Sequence, residues 1–431
     1  MSEKINVFWF RRDLRLQDNH GLFMALQSGL PVLPLFIFDK EILSDLQKDD
    51  ARVSFIHDTL KDINQQLQKV NSSLFIKHDH TFDAWKEILK EFKVQEVFTN
   101  HDYEPYALNR DKEVQQLLEV NNIGFHTFKD QVIFEKDDIK KADGTPYTIY
   151  TPYKNKWLQN FSIEKNTVEY ESKSLLIHFI KGNFNFPTLK ELAFSKSKIE
   201  VSLFEKEYIK QYDQHRDIPH LDQTTRLGTH LRFGTVSVRQ VVRIAANTNQ
   251  VFLSELIWRE FFMTILFHFP HVVHQSFKPK YDNIKWINNE QQFKAWCNGE
   301  TGYPMVDAGM KQLNQIGFMH NRVRMVVASF LCKHLLIDWR WGEAYFAEKL
   351  LDYELASNNG NWQWAAGCGC DAAPYFRVFN PIIQLKKFDR DLKYIKKWLP
   401  ELNSLNYPQP IVDHAVARER AISTYKSGIS M

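Results

Sequence analysis

Val32-Leu33-Pro34-Leu35-Phe36-Ile37-Phe38 is an unbroken apolar run that ends at Asp39. Seven residues are short for a helix, and a run apolar on both faces suits a strand covered on both sides of a parallel sheet. Working outward, Ile5 to Phe10 forms a similar run upstream. Ser73 to Ile76, Val97 to Thr99 and Phe125 to Phe128 complete five short strand candidates. Amphipathic stretches lie between them, for example Arg52 to Val70 and Glu104 to Val120. This alternation predicts an α/β domain over residues 1–130, Rossmann-like, with a five-stranded parallel sheet and helices on both faces. Such sheets often bind dinucleotides through a glycine-rich turn after the first strand. Here that turn reads Arg11-Arg12-Asp13-Leu14-Arg15, without glycine, which disfavours a site of that type.

Residues 131–200 are lysine-rich and weakly periodic, and read as a connector with short helices. From 201 to 431 the pattern turns helical. Phe252 to Phe269, Phe293 to Ile316 and Asn321 to Ile337 carry apolar residues three and four apart, which predicts an all-α domain.

The 431 residues are 44% hydrophobic and 25% charged, enough for two or three globular domains. Four cysteines exclude a disulfide scaffold and suit a reducing compartment. There is no apolar stretch of about 18 residues, and the N-terminus Met1-Ser2-Glu3-Lys4 lacks an apolar signal segment, so a cytoplasmic protein is expected. Aromatic residues reach 14%, as a large core or as stacking surfaces for flat ligands. Residues 1–200 carry 27 Lys and Arg against 30 Asp and Glu, the remainder 28 against 22. The basic, aromatic second half hints at a nucleic-acid partner.

Four segments of that half hold more polar and glycine residues than a core requires. Tyr212 to Asp217, followed by Thr224-Thr225-Arg226-Leu227-Gly228, offers hydroxyls and backbone N–H groups to a phosphate, or simply caps a helix. Glu255, Trp258 and Arg259 share a helix face, able to hold a base or a flavin, or else forming a surface ion pair beside a half-buried indole. Asn321, Arg324 and Met325 share another face, suited to a base edge and a phosphate, with capping by Asn321 as the plainer alternative. Asp352-Tyr353-Glu354 through Asn358, Trp362 and Trp364 joins acids, amides and indoles, fit for a polar ligand edge beside stacking surfaces. Cys368-Gly369-Cys370 has no partner pair at zinc spacing, so no metal site is expected.

Together, Trp9-Phe10-Arg11-Arg12-Asp13-Leu14-Arg15, Glu255–Phe261, Thr301–Asp307, His320–Met325 and Asn358–Pro381 resemble the photolyase/cryptochrome family, most closely the class I cyclobutane pyrimidine dimer type. The resemblance implies an antenna domain, a connector and a helical domain holding one non-covalent FAD. It assigns FAD contacts to Tyr212, Thr224, Thr225, Arg226, Leu227, Gly228, Phe252, Arg259, Arg324, Asp352, Tyr353, Glu354 and Asn358, with Asn358 at flavin N5. Thr225 and Gly228 stand where the family usually has serine, and Glu354 where it has aspartate. Lesion contacts carry over to Glu255, Trp258, Asn321, Met325 and Trp364, and phosphate contacts to Arg216, Arg322 and Arg377, with Gln384 nearby. Trp362, Trp339 and Trp286 match the tryptophans that convey electrons to oxidised flavin.

The implied activity is light-driven splitting of pyrimidine dimers in UV-damaged DNA by a monomer, the dimer being flipped from the stack. A cryptochrome light receptor without repair is the alternative, which Glu255 and Met325 disfavour because signalling members often lose the lesion set. The (6-4) branch of the family has histidine where this chain has Met325. A generic nucleic-acid-binding module would account for the charge but not for the motifs. Folate-binding members use a Cys-Lys pair where this chain has Val273-His274, while Glu104 matches a family carboxylate. The antenna chromophore is therefore left unassigned.

Overall fold

The computed structural model describes residues 3–430. Five strands, β1 (Lys4–Phe10), β2 (Val32–Asp39), β3 (Phe75–Asp79), β4 (Lys93–Asn100) and β5 (Gly124–Phe128), form a wholly parallel sheet in the order β3-β2-β1-β4-β5. β2 is buried along its whole length and β1 along all but its first residue, as their apolar runs require. β3 starts later than the apolar pattern suggested and runs on through Lys77, His78 and Asp79. It is an edge strand paired with β2, and its polar residues stay partly exposed while the backbone ladder holds. β4, by contrast, starts earlier than its apolar run, at Lys93, as it pairs with β1 and then β5.

The strand order reverses beside β1, where an open parallel sheet has its crevice at the carboxyl ends. Here charged side chains of the protein fill that place. Arg11 donates to Asp111 Oδ1 (2.5 Å) and to the Asn100 carbonyl. Asp13 accepts from the Arg11 N–H (2.6 Å) and from Asn100 Nδ2 (2.6 Å).

The chain forms two compact units that interleave along the sequence rather than meeting at one boundary. The first runs to Glu135 and adds Asn160–Leu203 and Leu227–Asn247; the second comprises Lys136–Gln159, Phe204–Arg226 and the chain from Thr248 on. Residues 131–200 therefore contribute to both units. Tyr150–Asn160 lies mostly in the second because Trp157 and Tyr153 are buried there, with Trp157 Nε1 donating to Glu260 (2.6 Å).

Five helices organise the second unit: α1 (Gln250–His268), α2 (Pro304–Ile316), α3 (Asn321–Ser329), α4 (Trp339–Lys349) and α5 (Leu355–Ala366). The single periodic run Phe293 to Ile316 is two helices, Glu290–Asn298 and α2. Gly299, at positive φ, caps the first, Gly302, also at positive φ, lies in the turn that follows, and Pro304 opens the second. The run Asn321 to Ile337 is also split: α3 passes into a π-helical turn at Phe330–His334. Close helix contacts explain two glycines. A Cβ on Gly360 would overlap the Phe262 ring of α1, and one on Gly342 would overlap the Trp362 ring of α5.

The π-turn buries Lys333 without a carboxylate. Its Nζ donates to the carbonyls of Ala366 (2.9 Å) and Tyr375 (3.2 Å) and lies 3.7 Å from the Tyr425 ring centroid. Burial pushes its pKa down to about 8. The folded chain thus holds this proton less tightly than the unfolded chain, and stability rises with pH between about 8 and 10.5. Relative to Lys333→Met, which does not titrate, the native chain should gain on the order of 3 kcal/mol across that window, since a pKa unit is about 1.4 kcal/mol. Denaturant unfolding of both proteins at pH 8 and 10.5 measures it.

Candidate functional site

Helix α1 sets the first part of the site. Its N-cap Asn249 accepts from the Val251 and Phe252 N–H groups and donates through Nδ2 to Asp213 (2.8 Å). That side chain ties α1 to the short helix Tyr212–His215. Tyr212 then meets the buried Phe252 edge to face at 5.0 Å. Arg216 donates to Glu255 Oε1 at 2.6 Å and covers the Tyr212 ring. Burial raises the Glu255 carboxyl above the usual range, and Arg216 opposes this. Trp258, one turn on, is half-buried and stacks on Tyr150 at 3.6 Å with planes 8° apart.

Arg322 of α3 completes this group, pairing with Asp217 (2.6 Å) and donating to Met325 Sδ (3.5 Å). Arg216 and Arg322, both read from sequence as phosphate contacts, are thus ion-paired with protein carboxylates. Asn321 is exposed and does not cap α3, correcting the plainer alternative for that residue. His320 is the cap, accepting from the Arg322 N–H; burial pushes its pKa down to about 4, so the ring is neutral and able to accept. Trp364 packs half-buried on the helical core, Arg377 is exposed beside Phe379, and Gln384 lies on the helix Pro381–Phe388. None of Asn321, Trp364, Arg377 and Gln384 makes a side-chain hydrogen bond to the Arg216–Glu255 pair.

The second part gathers arginines against acids. Arg324 makes a bidentate pair with Asp352 (3.2 and 2.9 Å). Arg226, at positive φ, pairs with Asp222. Both guanidinium groups lie over Phe318, at 5.5 and 3.5 Å from its centroid. Arg259 donates to Glu354 (2.9 Å), which also accepts from Ser357. Thr225 is buried, with its carbonyl accepting from the Glu205 N–H, and Tyr353 packs on the helical core. Leu227 and Gly228 open the helix Leu227–Phe233 and group with the first unit.

Asn358 donates through Nδ2 to the Glu343 carbonyl (3.1 Å) and to Glu343 Oε1 (2.8 Å). Burial raises the Glu343 carboxyl above its usual range. Sequence reading missed Glu343 and Phe318. The only signal for Glu343 was its place on α4, the helix of Trp339, and pairing across helices has no sequence period.

Two polar atoms of this region, Thr224 Oγ1 and His320 Nε2, are buried without a partner among the described residues. Orphaned buried polar atoms are uncommon and call for a ligand or water. A cofactor with phosphate oxygens and a polar ring edge matches them, together with the guanidinium and carboxylate groups around them.

Trp362 and Trp339 are buried and Trp286 is half-buried. Among described residues the Trp362 ring touches Trp296 (6.1 Å) and Phe346 (5.0 Å), whereas Trp286 touches Tyr425 (5.8 Å). In the first unit, Glu104 accepts from Arg12 (2.9 Å) and Arg232 (2.5 Å), so this carboxylate is already committed to protein partners. No group of three or more His, Cys, Asp and Glu able to hold a metal occurs among the described residues, and no helix there is long and apolar enough to cross a membrane.

The profile described as FAD binding domain of DNA photolyase matches residues 252–406, and that described as DNA photolyase matches residues 6–171. The chain is therefore a flavoprotein with a photolyase-type FAD-binding domain. It is 36% identical to the deoxyribodipyrimidine photo-lyase of Vibrio cholerae over 98% of its length and 99% of that protein. It is 35% identical to the one from Escherichia coli, over 98% of both. The crystal structure of a class III photolyase from Agrobacterium tumefaciens superposes with a TM-score of 0.89 at 32% identity, over 100% of this chain and 99% of that one. An archaeal photolyase from Sulfolobus tokodaii, described with two FAD molecules, gives 0.85 at 35% identity, over 98% and 100%. A Synechocystis cryptochrome shares the fold, with 0.88 at 24% identity, over 98% and 99%. The chain belongs to the DNA photolyase family, and it is an enzyme with FAD as its cofactor.

Proposed function

We propose that this enzyme splits cyclobutane pyrimidine dimers in DNA in the light. The observation that carries the reading is the Arg216–Glu255 pair beside Trp258, on the helix that also carries Arg259. Relatives named deoxyribodipyrimidine photo-lyase support the dimer as substrate.

Each residue has a part to take. Thr224, Thr225, Arg226, Leu227 and Gly228 would hold the diphosphate, with Tyr212 and Phe252 beside it and Arg324, Asp352, Tyr353, Glu354 and Arg259 around the polar parts. Asn358, fixed by Glu343, would present its amide to the flavin ring. Held there in its reduced form, FAD would supply the light-driven electron-transfer chemistry that opening a cyclobutane ring requires.

Trp258 and Trp364 offer apolar walls to a dimer out of the stack. Arg216 occupies Glu255 Oε1, which leaves Oε2 for a pyrimidine edge. A carboxyl with a raised pKa keeps a proton more readily, and Glu255 can share it with a carbonyl oxygen that gains negative charge. Asn321 and Met325 would border the lesion, with Arg216, Arg322, Arg377 and Gln384 toward the backbone. A light receptor without repair is the competing reading.

Trp362, Trp339 and Trp286 would pass electrons to oxidised flavin. Trp362→Phe should stop photoreduction in vitro, followed from the flavin spectrum under blue light, while chemically reduced enzyme still repairs. Normal photoreduction in that variant would remove Trp362 from the route.

The DNA reading is tested by titrating dimer-containing and undamaged duplex in the dark at several salt concentrations. Three to five phosphate contacts imply a log–log slope of roughly −3 to −4.5. Tighter binding to the dimer with that slope supports the reading. A slope near zero, or equal affinity for both duplexes, contradicts it.

A further inference from the structure

Tyr150 lies in the stretch read from sequence as a connector, yet it belongs to the second unit with Trp258. Its ring is held at both ends. The phenol lies 2.7 Å from the Ser254 carbonyl and 2.6 Å from Ser254 Oγ, one helical turn before Trp258. Its backbone N–H donates to Asp371 Oδ2 at 3.0 Å. The two rings are 3.6 Å apart and nearly parallel, so the Tyr150 ring covers one face of the indole. Phe261 meets Trp258 edge-on at 5.6 Å, and Phe262, one turn further along α1, lies at 5.4 Å with its plane 30° from the indole.

We infer that Tyr150 is a positioning residue for substrate recognition, holding the Trp258 indole in one rotamer to meet a flipped pyrimidine. This rests on the reading that Trp258 stacks on the dimer. The physical reason is preorganisation. A half-exposed indole free to change rotamer must be ordered when the lesion arrives, and an indole already fixed avoids that cost. A stacked aromatic pair is a usual way to fix it, and its strength sets the size of the effect. The phenol anchored on α1 makes the stack part of the same rigid helix, which favours precision over adaptability.

The test is a double-mutant cycle on the FAD-loaded enzyme, with affinity for a dimer-containing oligonucleotide measured in the dark. Tyr150→Leu should weaken binding about 2- to 10-fold in the native background. It should change nothing further in a Trp258→Ala background, because Tyr150 acts through that indole. Tyr150→Phe, which keeps the ring, should recover most of the loss. If Tyr150→Leu fails to retain FAD, Tyr150→Met takes its place in the same cycle. Equal weakening in both backgrounds would make Tyr150 an independent contact and overturn the inference. So would native affinity in the Leu variant while Trp258→Ala binds weakly, or equal loss in the Leu and Phe variants. Native affinity in Trp258→Ala itself would instead overturn the stacking role of Trp258, and this inference with it.

Discussion

Trp258→Ala and Trp364→Ala should each weaken dark binding of dimer-containing DNA by roughly 5- to 150-fold, while Glu255→Ala lowers the yield of splitting per absorbed photon. The first range follows from about 1–3 kcal/mol for each stacking aromatic lost. Both indoles would contact the neutral lesion, so their loss acts on the ground state. Glu255 is placed differently. It is half-buried, its pKa is raised by burial, and Arg216 holds one of its oxygens. A proton shared from there matters once negative charge has reached the dimer, a step that follows binding. Alanine at 255 also strips Arg216 of its partner, and the freed guanidinium can meet phosphate, so affinity should be kept. Measuring dark affinity and photon yield on the same three variants checks the division. Equal loss of affinity in all three, with full yield at saturation, would remove the separate role of Glu255.

Asp307→Ala should cost on the order of 3–5 kcal/mol of folding stability, from unsatisfied donors at about 1–3 kcal/mol each. Asp307 is fully buried at the start of α2. Its Oδ1 accepts from the Thr301 N–H (2.8 Å) and hydroxyl (2.6 Å), and its Oδ2 from the Gly302 N–H (3.0 Å) and the Tyr407 hydroxyl (2.7 Å). One carboxylate therefore joins the turn before α2 to the segment near Tyr407. Gly302 belongs to this junction: at φ +77°, a Cβ there would run into the backbone of Gln409 and Pro410. Alanine at 307 leaves several donors buried where water does not reach. Chemical denaturation measures the loss, and a change below about 1 kcal/mol would contradict this account.

The sheet was legible because β1 and β2 are buried on both faces and so must be apolar throughout, as Val32 to Phe38 is. The edge strand β3 was less so, because half of it is polar. The helix breaks at Gly299 to Pro304 were written in the residues, but the apolar period runs straight through them. The π-turn at Phe330–His334 left no sign in the sequence, since its residues are as apolar as the helix before it. At the site, spacing put Glu255, Trp258 and Arg259 on one face, and α1 keeps them there. Spacing could not pair Arg216 with Glu255, Arg322 with Asp217 or Asn358 with Glu343, because each pair joins separate segments. Tyr150 was invisible for the same reason: its partner lies more than a hundred residues away and on another helix.

The central claim is that this enzyme repairs cyclobutane pyrimidine dimers, and the direct measurement is dimer splitting by wild-type protein with fully reduced FAD. A defined dimer in an oligonucleotide is bound in the dark, illuminated with blue light, and the intact pyrimidines that appear are counted per absorbed photon. The account predicts light-dependent restoration of both pyrimidines and none in the dark. Protein that holds reduced FAD, binds DNA and leaves the dimer unsplit under illumination would contradict it and favour the light-receptor reading.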